Sequence, residues 1–203
     1  MAHIPDGILS APVLIGGALV AAGGVALGLR RLDDLLIIRA AILAAAIFAI
    51  SLISIPVGPS SVHVLLAGLM GLLIGAGTFP AVLAILLLQL LLFGFGGVTT
   101  LGVNTMNIAL PGVLFAMLLG PAIRRAPTAA RRTILAGIVG AASALGTGML
   151  VGLSIWLSTP EFAPIATVMV ATYLPLAFGE AVITAVIVSF LARVQPETLE
   201  MVA

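Results

Sequence analysis

The chain has no cysteine and no lysine, one tryptophan, one tyrosine and two histidines, and 7% of its 203 residues are charged. Without cysteine there are no disulfides, thiolate metal sites or cysteine nucleophiles. Without lysine there is no Walker-type phosphate loop, which needs that residue to reach the phosphates, so this chain does not hydrolyse ATP in that way. No His-Glu-x-x-His sequence occurs, and neither histidine sits where a serine triad is plausible, so an enzyme is not expected. Eight arginines against seven acids leave a net charge of +1, which gives no field for nucleic acid. Charge this sparse also excludes disorder and a soluble globule, which carries about a quarter charged residues.

What is present is apolar. Hydrophobic residues make up 62% of the chain. They fall in continuous runs rather than in the alternation of barrel strands, which predicts an all-α polytopic membrane protein. About seven transmembrane helices are predicted, near 11–29, 35–55, 62–79, 80–95, 105–123, 133–157 and 165–191. With seven spans, Arg30, Arg31 and Arg39, then Arg124, Arg125, Arg131 and Arg132, then Arg193 all fall on one face. Cytoplasmic loops collect arginine, so the N-terminus is expected outside and the C-terminus in the cytoplasm. No positive residue precedes the first run, so no cleavable signal peptide is expected. The chain reads as one transmembrane domain, with an external tail at 1–10, a helical bundle at 11–192 and a cytoplasmic tail at 193–203.

That topology puts both histidines, His3 and His63, at the outer surface. A histidine second from a free amino terminus offers the amine, its own amide and Nδ1 to one ion. The two chelate rings span three corners of a square, and a second imidazole completes it. Square-planar nitrogen coordination suits Ni(II) or Cu(II), and binding releases protons. Removal of Met1 makes His3 second; if Met1 stays, the tail alone fills four corners and His63 is not needed. The plainer reading is a solvated His3 and an interfacial His63.

Met1-Ala2-His3-Ile4-Pro5-Asp6-Gly7 resembles the amino-terminal signature of the CbiM/NikM family, the substrate-binding membrane components of energy-coupling-factor cobalt and nickel transporters. Three later blocks also resemble it: 55–63 (Ile-Pro-Val-Gly-Pro-Ser-Ser-Val-His), 96–104 (Gly-Gly-Val-Thr-Thr-Leu-Gly-Val-Asn) and, more loosely, 175–184 (Pro-Leu-Ala-Phe-Gly-Glu-Ala-Val-Ile-Thr). The resemblance implies transported Ni²⁺ or Co²⁺ as the ligand, with no catalytic cofactor. The metal would be bound by the terminal amine of Ala2 (or Met1), His3 and His63. The implied partners are a transmembrane coupling protein and two cytoplasmic ATPases, with a small accessory membrane subunit as a further candidate. The extra Ala2 departs from members that begin directly with methionine and histidine. For cobalt, the family context is cobalamin biosynthesis.

Other polar positions have two readings each. The loop with Gly96, Gly97, Thr99 and Thr100 is a lid over the tail, with Asn104 holding backbone or imidazole, or a turn in which Asn104 or Thr105 caps span five. Ser60 and Ser61 either support the metal or end a helix. Asp6 either bonds His3 or the tail backbone, or serves a Pro-Asp-Gly turn. Glu180, deep in the last span, is a proton-linked group or a partner for Gln89. Small residues four apart in span one (Gly17 and Ala21, Ala18 and Ala22, Gly24 and Gly28) serve bundle packing or docking of a membrane partner. Trp156 reads as an interfacial anchor. Two other classes compete with the importer: a proton-coupled secondary transporter using Glu180, and a structural membrane subunit without ligand.

Overall fold

The computed structural model describes the chain except residues 1–2, 54, 58–59, 159–160, 162 and 201–203, and describes backbone alone at 55–57, 60–62, 163–166, 169 and 200. The elements run α1 (Ala11–Arg31), α2 (Asp34–Ser51), β1 (Ile55–Val57), β2 (Ser60–Val62), α3 (Ala67–Ile74), a 3₁₀ turn (Gly75–Gly77), α4 (Thr78–Phe93), α5 (Leu101–Arg124), α6 (Ala129–Ser158), α7 (Ala163–Val194) and α8 (Glu197–Glu200). β1 and β2 form a small antiparallel hairpin, with Pro56 opposite Ser61. The protein is a multi-pass helical membrane protein. Leu19, Ile42, Leu91, Leu118 and Phe178 face outward, whereas Thr105, Asn107, Ser143 and Thr147 are buried. That distribution suits a lipid surround, in which the polar groups must find partners inside the bundle.

Among the described residues, six helical stretches are long and apolar enough to cross a membrane, and Ala67–Phe93 counts as one of them. Contacts divide that stretch into two passes. α3 runs beside α5 in the same direction: Gly112 meets Ala67, and Gly71 meets Gly112 and Ala116. At the 3₁₀ turn, Ala76 and Pro80 reach Gly28, near the arginine end of α1. α4 then returns, so that Phe95 stacks on His3. The reversal is set by Gly75, whose φ of 52° and ψ of −127° are open to glycine and costly for other residues. Among the described residues, seven helices, α1–α7, therefore make up the bundle, the third preceded by extended chain.

Several predicted boundaries move for physical reasons. α2 ends at Ser51 rather than near 55, because Pro56 cannot continue a helix. The third helix does not open at His63. It begins at Ala67, after a non-helical segment in which Leu66 adopts a left-handed φ of 50°. α5 begins at Leu101, four residues early, so Asn104 and Thr105 lie inside it rather than capping it. α7 runs on to Val194, and the tail predicted from 193 contains α8, whose Leu199 is buried.

The small residues of α1 are used within the bundle. Gly17 and Ala18 meet Val103 and Gly102, Gly24 meets Phe79, and Gly28 meets Ala76. Arg30 and Arg31 close α1, Arg124 closes α5 and Arg193 closes α7. Because α1, α3, α5 and α7 run the same way, these arginines gather at one end of the bundle. Trp156 is half-exposed near the other end.

The α3–α5 crossing is tight enough to test. A Cβ on Gly112 would stand 2.4 Å from the Ala67 carbonyl oxygen, whereas one on Gly179 would meet nothing within 4 Å. Gly112→Ala is expected to lower the thermal unfolding midpoint in detergent, at a cost of about 1–3 kcal/mol. Gly179→Ala should leave it unchanged or slightly raised, and equal midpoints for the two variants would contradict this packing.

Candidate metal centre

The amino-terminal tail is non-helical, so its backbone groups need partners wherever it is buried. Ile4 is 1% exposed and packs with Val103, Val151 and Ile155. Asn104 treats it as a strand partner would: Oδ1 accepts from the Ile4 N–H at 3.0 Å, and Nδ2 donates to the Ile4 carbonyl at 3.0 Å. Thr100 Oγ1 donates to the same carbonyl at 2.7 Å. Further along, the Asp6 carboxylate accepts from the Val98 and Thr99 N–H groups at 3.1 and 3.0 Å, and from the Thr99 hydroxyl. The Thr99 hydroxyl, above all, holds the Asp6 carboxyl below its ordinary value. Gly97 permits this approach, since a Cβ there would overlap Asp6. The glycine loop therefore clasps the tail. Asp6 bonds that loop rather than His3 or the tail's own backbone, as the sequence had suggested.

The clasp delivers His3 to His63. Both rings are buried, with their Nε2 atoms 3.0 Å apart and ring centroids 5.1 Å apart. His63 Nδ1 lies 3.1 Å from the Val64 carbonyl, which can only accept, so the His63 proton belongs on Nδ1 and its Nε2 holds a lone pair. His3 then donates from Nε2 and keeps its own lone pair on Nδ1. That is the nitrogen a terminal chelate uses, but it is not the atom facing His63. Burial first, and then the neighbouring His63, push the His3 imidazole down to about 3. Both rings are neutral near pH 7 and able to act as donors.

Beneath the pair lies a cavity of about 20 Å³ lined by Ser51, Met70, Leu86 and Gln89, room for one water or bare ion. Among the described residues, no three His, Asp or Glu side chains gather in one place. Two imidazoles do not fill a four-coordinate shell, so the other donors would be backbone groups or the terminus. The candidate amine of Ala2 (or Met1) and the side chains of Ser60 and Ser61 lie outside the described residues.

Glu180 is buried, and Gln89 is not its partner. Gln89 Nε2 donates instead to Ser51 Oγ at 2.6 Å. The Glu180 carboxyl accepts from the Leu65 N–H at 2.5 Å and from the Leu66 N–H at 2.9 and 3.0 Å. It thus reaches the segment that carries His63. Sequence reasoning also missed Phe95, whose ring lies 6.2 Å from that of His3 at an interplanar angle of 14°. Its place between Gly94 and Gly96 was the available signal. Ile4, which anchors the tail, carries no signal in the sequence beyond its place in the amino-terminal signature.

A family model described as the cobalt uptake substrate-specific transmembrane region, CbiM, matches residues 3–198. The chain belongs to the CbiM family. Its curated relatives include a "Putative metal transport protein" of Haemophilus influenzae, 32% identical over 97% of this chain and 96% of that one. They also include a "Fused nickel transport protein NikMN" of Rhodobacter capsulatus, 30% identical over 97% of this chain and 63% of that one. A "Cobalt transport protein CbiM" of Anoxybacillus flavithermus is 31% identical over 71% of this chain and 61% of that one. Two crystal structures of transition metal transporters share the fold. Their TM-scores are 0.75 and 0.76 at 22% and 23% identity, covering 94% and 95% of this chain and 98% and 93% of theirs.

In this CbiM-family chain, the tail's docking has a testable cost and pH dependence. Asn104→Ala leaves the Ile4 amide and carbonyl short of partners, at a cost of about 1–3 kcal/mol; faster hydrogen exchange at Ile4 is the expected readout. The His3 value is depressed in the docked tail and ordinary, at 6.5, in a free one. Docking is therefore fully present above about pH 6.5 and weakens as pH falls below it. Asp6→Asn should leave that acid-side loss between pH 6.5 and about 4 in place. Ile4 protection that stays constant over this range, after correction for intrinsic exchange, would contradict the assignment to the histidines.

Proposed function

We propose that this chain is the substrate-binding membrane component of an ATP-driven transition-metal importer, and that it takes Ni²⁺ or Co²⁺ at its outer face. The observation that carries the reading is the meeting of the chain's two histidines. They are separated by 60 positions in sequence, yet their Nε2 atoms lie 3.0 Å apart at a buried point. Two nitrogen ligands on adjacent corners of a square, with bonds of about 2.0 Å, stand about 2.8 Å apart. An ion that replaces this hydrogen bond and uses His3 Nδ1 requires the His3 ring to turn, because Nε2 is the atom that now faces His63. His63 Nε2 turns its lone pair to an ion held by His3 Nδ1, the His3 amide and the terminal amine. Asn104, Thr99, Thr100 and Asp6 hold the tail in place, and Ser60 and Ser61 lie next to His63 in sequence. Nickel is favoured because this donor set is square and all nitrogen.

The arginine end faces the cytoplasm in this reading, following the positive-inside rule, which puts the tail outside and the C-terminus in. Residues 1–10 are the metal-binding tail, 11–192 the bundle and 193–203 the cytoplasmic tail. Energy comes from partners: a transmembrane coupling protein and two ATPases, with a small accessory membrane subunit beside them. Arg124 and Arg132 border a depression with Pro196 and Leu199, a surface these partners could touch.

The test is a pair of changes to the full chain, purified in detergent and titrated with Ni²⁺. Residues fused to the amino terminus are expected to abolish binding with the helical circular dichroism intact. His63→Ala should weaken binding by at least the ~10–100-fold typical of lost metal-site partners, leaving the weaker tail chelate. Binding that survives the extension overturns the amine ligand, and binding indifferent to His63→Ala favours a tail that supplies all four donors. Uptake into vesicles driven by a pH gradient without ATPase partners would overturn the importer in favour of a proton-coupled carrier working through Glu180. Absence of metal from the purified, unmodified chain would favour a structural subunit.

A further inference from the structure

We propose that Glu180 is a positioning residue for the metal site. By gripping the backbone two and three residues beyond His63, it sets where that imidazole points and ties the site to α7. The inference rests on the reading of His63 as a ligand of the transported ion.

The segment from His63 to Leu66 is non-helical, with His63, Leu65 and Leu66 buried and Val64 half-buried. Its own hydrogen bonding is slight: His63 Nδ1 to the Val64 carbonyl is the contact within it. Leu66 stands at a φ of 50°, a conformation that side-chain-bearing residues adopt at a cost and keep only when their surroundings impose it. The imposing group is Glu180. One carboxyl oxygen accepts from both the Leu65 and Leu66 N–H groups, and the other accepts from Leu66. These N–H groups immediately precede the first turn of α3, whose dipole favours an acidic partner.

Glu180 is held from behind as well. Gly140 of α6 packs against its backbone, where a Cβ would stand 2.5 Å from the Glu180 carbonyl oxygen. This contact fixes the backbone from which the carboxyl reaches the 63–66 segment. His63 takes its position from the α6–α7 pair. α7 runs to the arginine end of the bundle, so a shift of α7 draws Leu65 and Leu66 with it and moves His63 Nε2 away from His3.

A group that merely caps α3 would affect stability alone, so the experiment reads the metal site. Full-length protein in detergent is titrated with Ni²⁺ by calorimetry, and the Ni²⁺ absorption spectrum is recorded, for the unmodified chain, Glu180→Gln, His63→Ala and the double variant. Glu180→Gln is expected to weaken Ni²⁺ binding about 10–100-fold, as loss of an outer partner of a ligand does, and to shift the spectrum toward that of His63→Ala. In the His63→Ala background the same change should cost nothing further. A folded Glu180→Gln protein with unaltered affinity overturns the proposal, and so does a loss of equal size in both backgrounds. Should Glu180→Gln not fold, Glu180→Asp, which withdraws the carboxylate by one methylene, is read on the same cycle with the same two outcomes. An unmodified chain that takes up no Ni²⁺ overturns the metal-binding reading itself. Tight binding indifferent to Glu180 overturns only its positioning role.

Discussion

Non-helical backbone buried inside a membrane bundle must find partners for its N–H groups, because lipid supplies none and each stranded group costs several kcal/mol. In the segment from His63 to Leu66, the Leu65 and Leu66 N–H groups meet that constraint through one carboxyl group, that of Glu180. Much of the structure follows from it. The third pass can be half extended chain, α3 can be eight residues long, and Gly71 and Gly112 can bring α3 against α5 at backbone distance. A histidine carried by extended chain is also free to stand at a point that no helix face would reach.

The second irregular segment, the amino-terminal tail, meets the same constraint differently. It lies at the end of the bundle, and its partners are side chains of α5 and the glycine loop before it. Asn104 presents an amide to the Ile4 amide, so the tail is docked as though it were a strand beside a strand. Asp6 bonds the loop from an exposed position. The tail is thus anchored by one buried apolar residue and a few hydrogen bonds. The two histidines meet because two pieces of chain outside the helices, each satisfied by its own polar residue, end at the same place.

Much of this was legible in the residues. Continuous apolar runs give a multi-pass helical membrane protein, and the glycine loop reads either as a lid over the tail or as a turn capping span five. What was not legible came from pairings between distant positions. Glu180 looked as able to meet Gln89 as anything else, since both are polar groups in apolar helices. Their actual partners, the Leu65 and Leu66 amides and the Ser51 hydroxyl, carry no compositional signal. Asp6 beside His3 in sequence suggested a local bond, but the chain turns it toward Thr99. Phe95 was hidden because one aromatic residue among so many apolar ones is unremarkable until its ring is seen beside His3.

The sequence alone determined the solvent and the helical, multi-pass architecture. These depend on hydrophobic length and charge count, which are properties of the chain read in order. Tertiary structure alone decided which polar groups meet. A buried hydrogen bond depends on distance and direction between residues up to 115 positions apart, and only the packed helices bring those residues within reach of one another.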